Sequence, residues 1–163
     1  MLPFERDELA SAVGEALVAQ GARVAVVETT AGGLISARML SVPGASRWFE
    51  RGVVAYTRQA KQDVSNRAGE MLATYGAVSA ELVTALAEGM RARAGATYAV
   101  AESGIAGPQD GRRSSKPVGS VVIAVASADG TKVEEHLFAG TRVQVMTQIA
   151  QRSIEMLLET VEA

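Results

Sequence analysis

Arg23-Val-Ala-Val-Val-Glu-Thr-Thr-Ala-Gly-Gly33 is the stretch on which the fold turns. Its first half is a short β-branched run set off by Gly21 and by a turn-like cluster, the pattern of a strand buried on both faces. The paired glycines then open a helix through Leu34, Ile35, Ala37, Arg38 and Met39, which Pro43-Gly44 stops. Upstream, Leu9, Ala12, Val13, Ala16 and Leu17 recur at helical spacing and predict a first helix over residues 6 to 19.

The same alternation continues downstream. Gly52-Val-Val-Ala-Tyr-Thr57 predicts a second strand whose carboxyl end delivers Tyr56, Thr57 and then Lys61, and residues 61 to 75 read as helical but polar. Ser79 caps an amphipathic helix with Leu82, Val83, Leu86, Ala87 and Met90 on its apolar face. Thr97 to Ala101 predicts a third buried strand, followed by a second glycine-rich loop, Glu102-Ser-Gly-Ile-Ala-Gly-Pro108. Asp129-Gly130 marks a hairpin between Ser120–Ala126 and Lys132–Phe138, and a closing helix spans about residues 143 to 161. Strands alternating with helices, then a hairpin and a helix, predict a three-layer α/β/α sandwich, its mainly parallel sheet carrying an antiparallel edge hairpin. No repeat or linker interrupts residues 1–163, so a single domain is expected.

Composition narrows the function. Sixteen basic and eighteen acidic residues give a formal charge of -2, and the longest basic block is the pair Arg112-Arg113. A nucleic-acid partner, which demands concentrated positive charge, is not expected. With no cysteine and one histidine, His136, which reads as solvent-facing on a strand, no metal site is expected. No apolar run approaches the ~20 residues of a membrane helix. The amino terminus, Met-Leu-Pro-Phe-Glu-Arg-Asp-Glu8, is acidic where an export signal would be basic, which points to the cytoplasm.

Open α/β sheets bind ligands beyond the carboxyl ends of their parallel strands. Both glycine-rich segments fall there. Gly32 and Gly33 permit close approach of backbone to a phosphate, with the Thr29 and Thr30 hydroxyls beside them, and Ser103, Gly104 and Gly107 offer the same from a neighbouring strand. Such turns also serve simply as tight connections, and neither matches a nucleotide triphosphatase or dinucleotide motif. Lys61 follows Tyr56 by five residues, and Ser46 precedes that tyrosine by ten. A hydroxyl, a phenol and an amine so grouped support hydrolysis without histidine, because a desolvated lysine loses its proton and accepts one from the hydroxyl. The glycine-turn amides would hold the oxyanion. On spacing alone, a solvated helix residue is the better reading of Lys61. Both Thr29 and Ser46 offer a nucleophile. Arg142 and Lys116 are candidate anion contacts or ordinary surface charges. Asp110 and Glu28 are possible acid–base groups, Glu28 alternatively a ligand of backbone amides.

Several ordered motifs together resemble one family. Glu28-Thr-Thr-Ala-Gly-Gly33, Val42-Pro-Gly-Ala-Ser46, Gly52-Val-Val-Ala-Tyr56 with Lys61, Gly76-Ala-Val-Ser79, Ser103-Gly-Ile-Ala-Gly-Pro108, Lys116-Pro-Val-Gly119 and Gly-Thr-Arg142 resemble the C-terminal domain of competence/damage-inducible protein CinA and its stand-alone nicotinamide-nucleotide amidase relatives. The resemblance spans nearly the whole chain. It implies deamidation of nicotinamide mononucleotide to nicotinate mononucleotide and ammonia, with no metal or cofactor. Thr29 or Ser46 would then serve as nucleophile with Lys61 and Tyr56, and Glu28, Thr30, Ala31, Gly32, Gly33, Ser103, Gly104, Gly107 and Arg142 would form the substrate site. The family's first motif normally reads Glu-Ser-Cys-Thr-Gly-Gly, so Thr29, Thr30 and Ala31 depart from it. The β-methyl of Thr29 crowds the attack path. A nucleotide-binding module without turnover, and an amidase for a different amide, are the alternatives. Apolar helices leave a homo-oligomer open.

Overall fold

The computed structural model describes residues 7–109, 111 and 114–163. Strand β1 (Val24–Glu28) is buried at every position and forms the spine of the sheet. The helices α1 (Glu8–Gln20) and α2 (Leu34–Leu40) flank it in sequence, and a single 3-10 turn at Ala45–Arg47 leads to β2 (Phe49–Val54). Then follow α3 (Arg58–Val64), α4 (Ala68–Tyr75), α5 (Ala80–Ala94), β3 (Tyr98–Gly104), β4 (Ser120–Ser127), β5 (Gly130–Leu137) and α6 (Arg142–Glu162). The sheet order is β2-β1-β3-β4-β5. β1 runs parallel to β2 and β3, while β4 is antiparallel to β3 and β5 to β4.

Two-residue alternation splits the interior into two layers of packing. Val24, Val26, Val100, Val121, Ile123 and Val125 face α1, α2 and α6, and Ile35, Ile149, Ile154 and Leu157 join them. On the other face Ala25, Val27, Ala99, Ala101, Val122, Ala124 and Ala126 meet Leu82, Val83, Leu86 and Met90 of α5. The sheet is thus covered on both sides, as the buried pattern of β1 requires. Among the described residues, no helix is long and apolar enough to cross a membrane.

Several boundaries differ from the sequence reading. β2 lies at Phe49–Val54 rather than at 52–57, because Phe49 already pairs with Val24. As an edge strand it is mostly exposed. Thr57 therefore caps α3, accepting from the amide of Ala60, and the polar stretch 61–75 divides into α3 and α4. β3 continues through Glu102, Ser103 and Gly104, which pair with Ile123, Val122 and Val121, so these residues are strand rather than loop. His136 is partly buried, bonded to Glu134 and stacked on Phe138, rather than solvent-facing. Residue 6, where the first helix was expected to begin, and Arg112-Arg113 lie outside the described residues.

Asp7 joins three helices. It accepts from the amide of Ala10 as N-cap of α1 and from Arg38 of α2 at 2.6 Å, and Arg38 also donates to Gln151 of α6. Burial pushes its carboxyl up, but Arg38 and the Ala10 amide outweigh this and hold it below the ordinary value of 3.8. A carboxyl so depressed stabilises the fold above its unfolded-state pKa, and that contribution fades as pH falls through the folded-state value. Asp7→Ala is expected to cost about 3 kcal/mol in urea unfolding at neutral pH. The difference from the parent should shrink as the solution is acidified below pH 3.8.

Candidate active site

The turn after β1 is shaped by two glycines and two buried carboxylates. Gly32 and Gly33 have φ of 64° and 102°, the left-handed region that a side chain resists. Glu28 is fully buried. Its Oε2 accepts from the amides of Gly33 and Ile35 at 2.9 and 3.0 Å, and its Oε1 from the amide and hydroxyl of Ser36 at 2.8 and 2.6 Å. From β3, Glu102 extends Oε1 to the amides of Thr29, Thr30 and Ala31 at 2.7, 2.8 and 2.8 Å.

This arrangement corrects the expectation of a phosphate-binding or oxyanion-holding corner. The amides of residues 29, 30, 31, 33, 35 and 36 already point at protein carboxylates. Glu28 is the amide ligand of the two roles open to it, and its side chain faces the turn rather than a substrate. Ala31 is fully buried in the core beside Ile35 and likewise offers no side chain to a ligand.

The two threonine hydroxyls lie 3.2 Å apart and differ in their ties. Thr30 Oγ1 accepts from the amide of Gly104 at 2.7 Å and donates to its carbonyl at 3.0 Å, so it is committed to lacing the turn to β3. Thr29 Oγ1 donates to the carbonyl of Glu102 at 3.0 Å.

Lys61 is only 6% exposed, which removes the solvated-helix alternative. Its Nζ donates to the backbone carbonyl of Tyr56 at 2.8 Å. Burial lowers its pKa, and the charge of Glu102 pulls the other way. Tyr56 is 64% exposed and lines the neighbouring cavity, while its backbone carbonyl serves Lys61.

A cavity of about 580 Å³ opens beside this cluster, with Thr30, Tyr56, Gly104, Gly107 and Arg142 in its wall. Arg142, the first residue of α6, donates one Nη1–H to the carbonyl of Gly107 at 2.7 Å. Lys116 reaches across to the carbonyl of Val78 at 2.6 Å and lines the same cavity. Two cations in a wall of carbonyls and small residues suit an anionic ligand.

Ser46 does not join the site. It is exposed in the 3-10 turn before β2, its carbonyl accepts from Arg23 at the start of β1, and it therefore sits at the amino ends of the parallel strands. Ser103 is buried within β3, and strand alternation puts it on the face of Ala99 and Ala101, away from Glu102. Gly32 and Gly33 shape the turn and lie outside the cavity wall. Asp110 lies outside the described residues.

Sequence reasoning missed Glu102 and the wall formed by Tyr75 to Val78. The signal for Glu102 was present: a carboxylate directly continuing the buried run 97 to 101, where an unpaired charge is costly.

Comparison with known proteins gives a consistent result. Residues 6–161 match the model of the CinA C-terminal domain. A CinA-like protein of Anaeromyxobacter sp. (strain K) is 42% identical over 152 residues, 93% of this chain and 37% of the relative. A CinA-like protein of Syntrophobacter fumaroxidans is 40% identical over 149 residues, 91% of this chain and 35% of the relative. The chain thus spans little more than a third of the length of these relatives. The crystal structure of competence damage-inducible protein A from Klebsiella pneumoniae superposes with a TM-score of 0.90 at 32% identity, covering 95% of this chain and 96% of that one. A competence/damage inducible protein from Agrobacterium tumefaciens gives 0.86 at 33% identity, covering 96% and 94%.

Proposed function

This chain belongs to the CinA C-terminal domain family, and from that premise we propose that it is an amidohydrolase converting nicotinamide mononucleotide to nicotinate mononucleotide and ammonia. The observation that carries the reading is Lys61, a buried amine of α3 that burial biases toward its neutral, proton-accepting form, its Nζ resting on the carbonyl of the cavity-lining Tyr56. The adjoining cavity supplies Arg142 and Lys116 for the phosphate of such a substrate.

Thr29 is the nucleophile in this scheme, since the Thr30 hydroxyl is occupied as both donor and acceptor. Its hydroxyl leaves the carbonyl of Glu102, passes its proton to Lys61 and attacks the carboxamide carbon; the amide nitrogen takes that proton and leaves as ammonia, and water hydrolyses the ester. The test is ammonia release from nicotinamide mononucleotide by the purified protein, with Lys61→Met as control. Absence of turnover above that control ends the reading.

The β-methyl of Thr29 restricts the rotamers through which its oxygen can attack. Thr29→Ser is expected to raise kcat, by about tenfold if the gain approaches 1.4 kcal/mol of barrier, and Thr29→Ala to abolish it. Steady-state kinetics of the two variants checks this.

One observation favours a second reading, a nucleotide-binding module without turnover. Thr29 and Lys61 each hydrogen-bond to a backbone carbonyl rather than to one another. Calorimetric binding of nicotinamide mononucleotide without ammonia release would establish it.

A further inference from the structure

The two glycine-rich segments differ in where their backbone donors go. At the first, Glu28 and Glu102 take the amides of residues 29, 30, 31, 33, 35 and 36. At the second, Gly104 donates to Thr30 Oγ1 at 2.7 Å and Ile105 to the Ser120 carbonyl at 2.9 Å. The next two amides, of Ala106 and Gly107, reach no acceptor among the described residues. Both residues are buried, and both stand in the wall of the cavity. A buried N–H group is almost never left without a partner. The acceptor these two donors need is therefore one that the cavity admits.

The backbone holds them in place. φ is negative at Ala106 and 78° at Gly107, an alternation that turns successive N–H groups toward one anion. A side chain at Gly107 would meet Val118 Cγ1 at 2.6 Å, so the close approach of these segments requires glycine. Just upstream, Gly119 donates to the Ile105 carbonyl at 2.7 Å, which fastens the segment to the start of β4. Just downstream, the Gly107 carbonyl accepts from Arg142 Nη1 at 2.7 Å. That bond sets a guanidinium against the same residue whose N–H is unclaimed. It leaves Nε and Nη2 of Arg142 without an acceptor among the described residues. No carboxylate among the described residues lines this cavity.

We propose that the amides of Ala106 and Gly107 and the guanidinium of Arg142 form one anion site that takes the phosphate group of a nucleoside 5′-monophosphate. That the nucleotide is nicotinamide mononucleotide rests on the amidase reading; the site itself rests on the donors. Two adjacent N–H groups and the planar fork of an arginine match several oxygens of a tetrahedral dianion at once. A neutral carboxamide offers the guanidinium no charge to meet.

The experiment is a titration of ¹⁵N-labelled protein with nicotinamide mononucleotide, with nicotinamide riboside, which lacks the phosphate, and with inorganic phosphate. The amide protons of Ala106 and Gly107 should move downfield with the mononucleotide and with inorganic phosphate, and stay in place with the riboside. In the mononucleotide complex the same amides should show scalar coupling to ³¹P across the hydrogen bond. Arg142→Gln should weaken binding of the mononucleotide about 30-fold and leave that of the riboside unchanged. In ammonia release it should raise KM with kcat little altered.

Coupling at Ala77 or Val78 instead would place the phosphate on Lys116 and overturn the proposal, as would equal shifts of Ala106 and Gly107 with the riboside. Should Arg142→Gln not fold, the parent protein alone decides, because the coupling reports the hydrogen bond itself. If the parent releases no ammonia, the amidase reading fails, while the response of the two amides to inorganic phosphate still decides the site. If ammonia is released and neither amide responds to a phosphate-bearing probe, the site fails and the amidase reading stands.

Discussion

Lys61→Met is expected to reduce ammonia release from nicotinamide mononucleotide by about a thousandfold or more, because it removes the only proton acceptor in the proposed scheme. The same substitution should leave the melting temperature unchanged or raise it. Lys61 is almost wholly buried and makes one hydrogen bond, to the Tyr56 carbonyl, so methionine of similar shape forfeits about 1 kcal/mol there. It also abolishes the cost of keeping an amine out of water, which opposes that loss. Opposite movement of rate and stability is the mark of a group kept for chemistry at the expense of the fold. Because burial lowers the lysine below its ordinary value of 10.5, that cost is largest at low pH, and the gain in melting temperature should shrink as pH rises toward 10.5. Rate and calorimetric melting, measured on one preparation at pH 6 and pH 9, check both halves. If activity fell only in proportion to unfolded protein, Lys61 would be a packing residue and the base would lie elsewhere.

The parts of the molecule legible in sequence are those where one local pattern has one physical meaning. Arg23 to Val27 reads as a strand covered on both faces, and the adjacent left-handed conformations at Gly32 and Gly33 explain why two glycines precede the helix that follows. Ser79 and Thr141 cap α5 and α6 through side-chain oxygens that sequence displays directly, although only the first was recognised. Partnership across the sheet is where sequence fell silent. Ser46 and Tyr56 are ten residues apart, but β2 lies between them and holds their neighbourhoods roughly 20 Å apart. Glu102 and Thr29 are distant in the chain yet bonded, because β3 lies beside β1 with Val27 opposite Ala101. The expectation of free amides at the turn failed for the same reason. Gly32-Gly33 advertises exposed N–H groups, while the carboxylate that consumes those of Thr29 to Ala31 arrives from another strand.

Glu28→Ala should be strongly destabilising, costing more than about 4 kcal/mol and bringing a domain of ordinary stability close to unfolding. The carboxylate receives three amides and one hydroxyl, all at the buried junction of β1 and α2. Alanine leaves the four donors facing one another with no acceptor. Glutamine retains a single acceptor oxygen and turns an NH₂ group toward donors, so Glu28→Gln should fall between alanine and the parent. Gly52 gives an independent approach to the same junction. A methyl at Gly52 would press on Ser36 Oγ, so Gly52→Ala should loosen the Ser36 bonds without touching the carboxylate. Urea unfolding of the three variants should rank them parent, Glu28→Gln, Glu28→Ala, with Gly52→Ala also below the parent. An alanine variant within 1 kcal/mol of the parent would show that the amides find other acceptors and that the carboxylate does not hold the start of α2. The consequence for chemistry is indirect but measurable, because the charge of Glu28 helps to keep Glu102 high. Glu28→Gln should let Glu102 ionise at lower pH, while the turn itself remains pinned by Glu102.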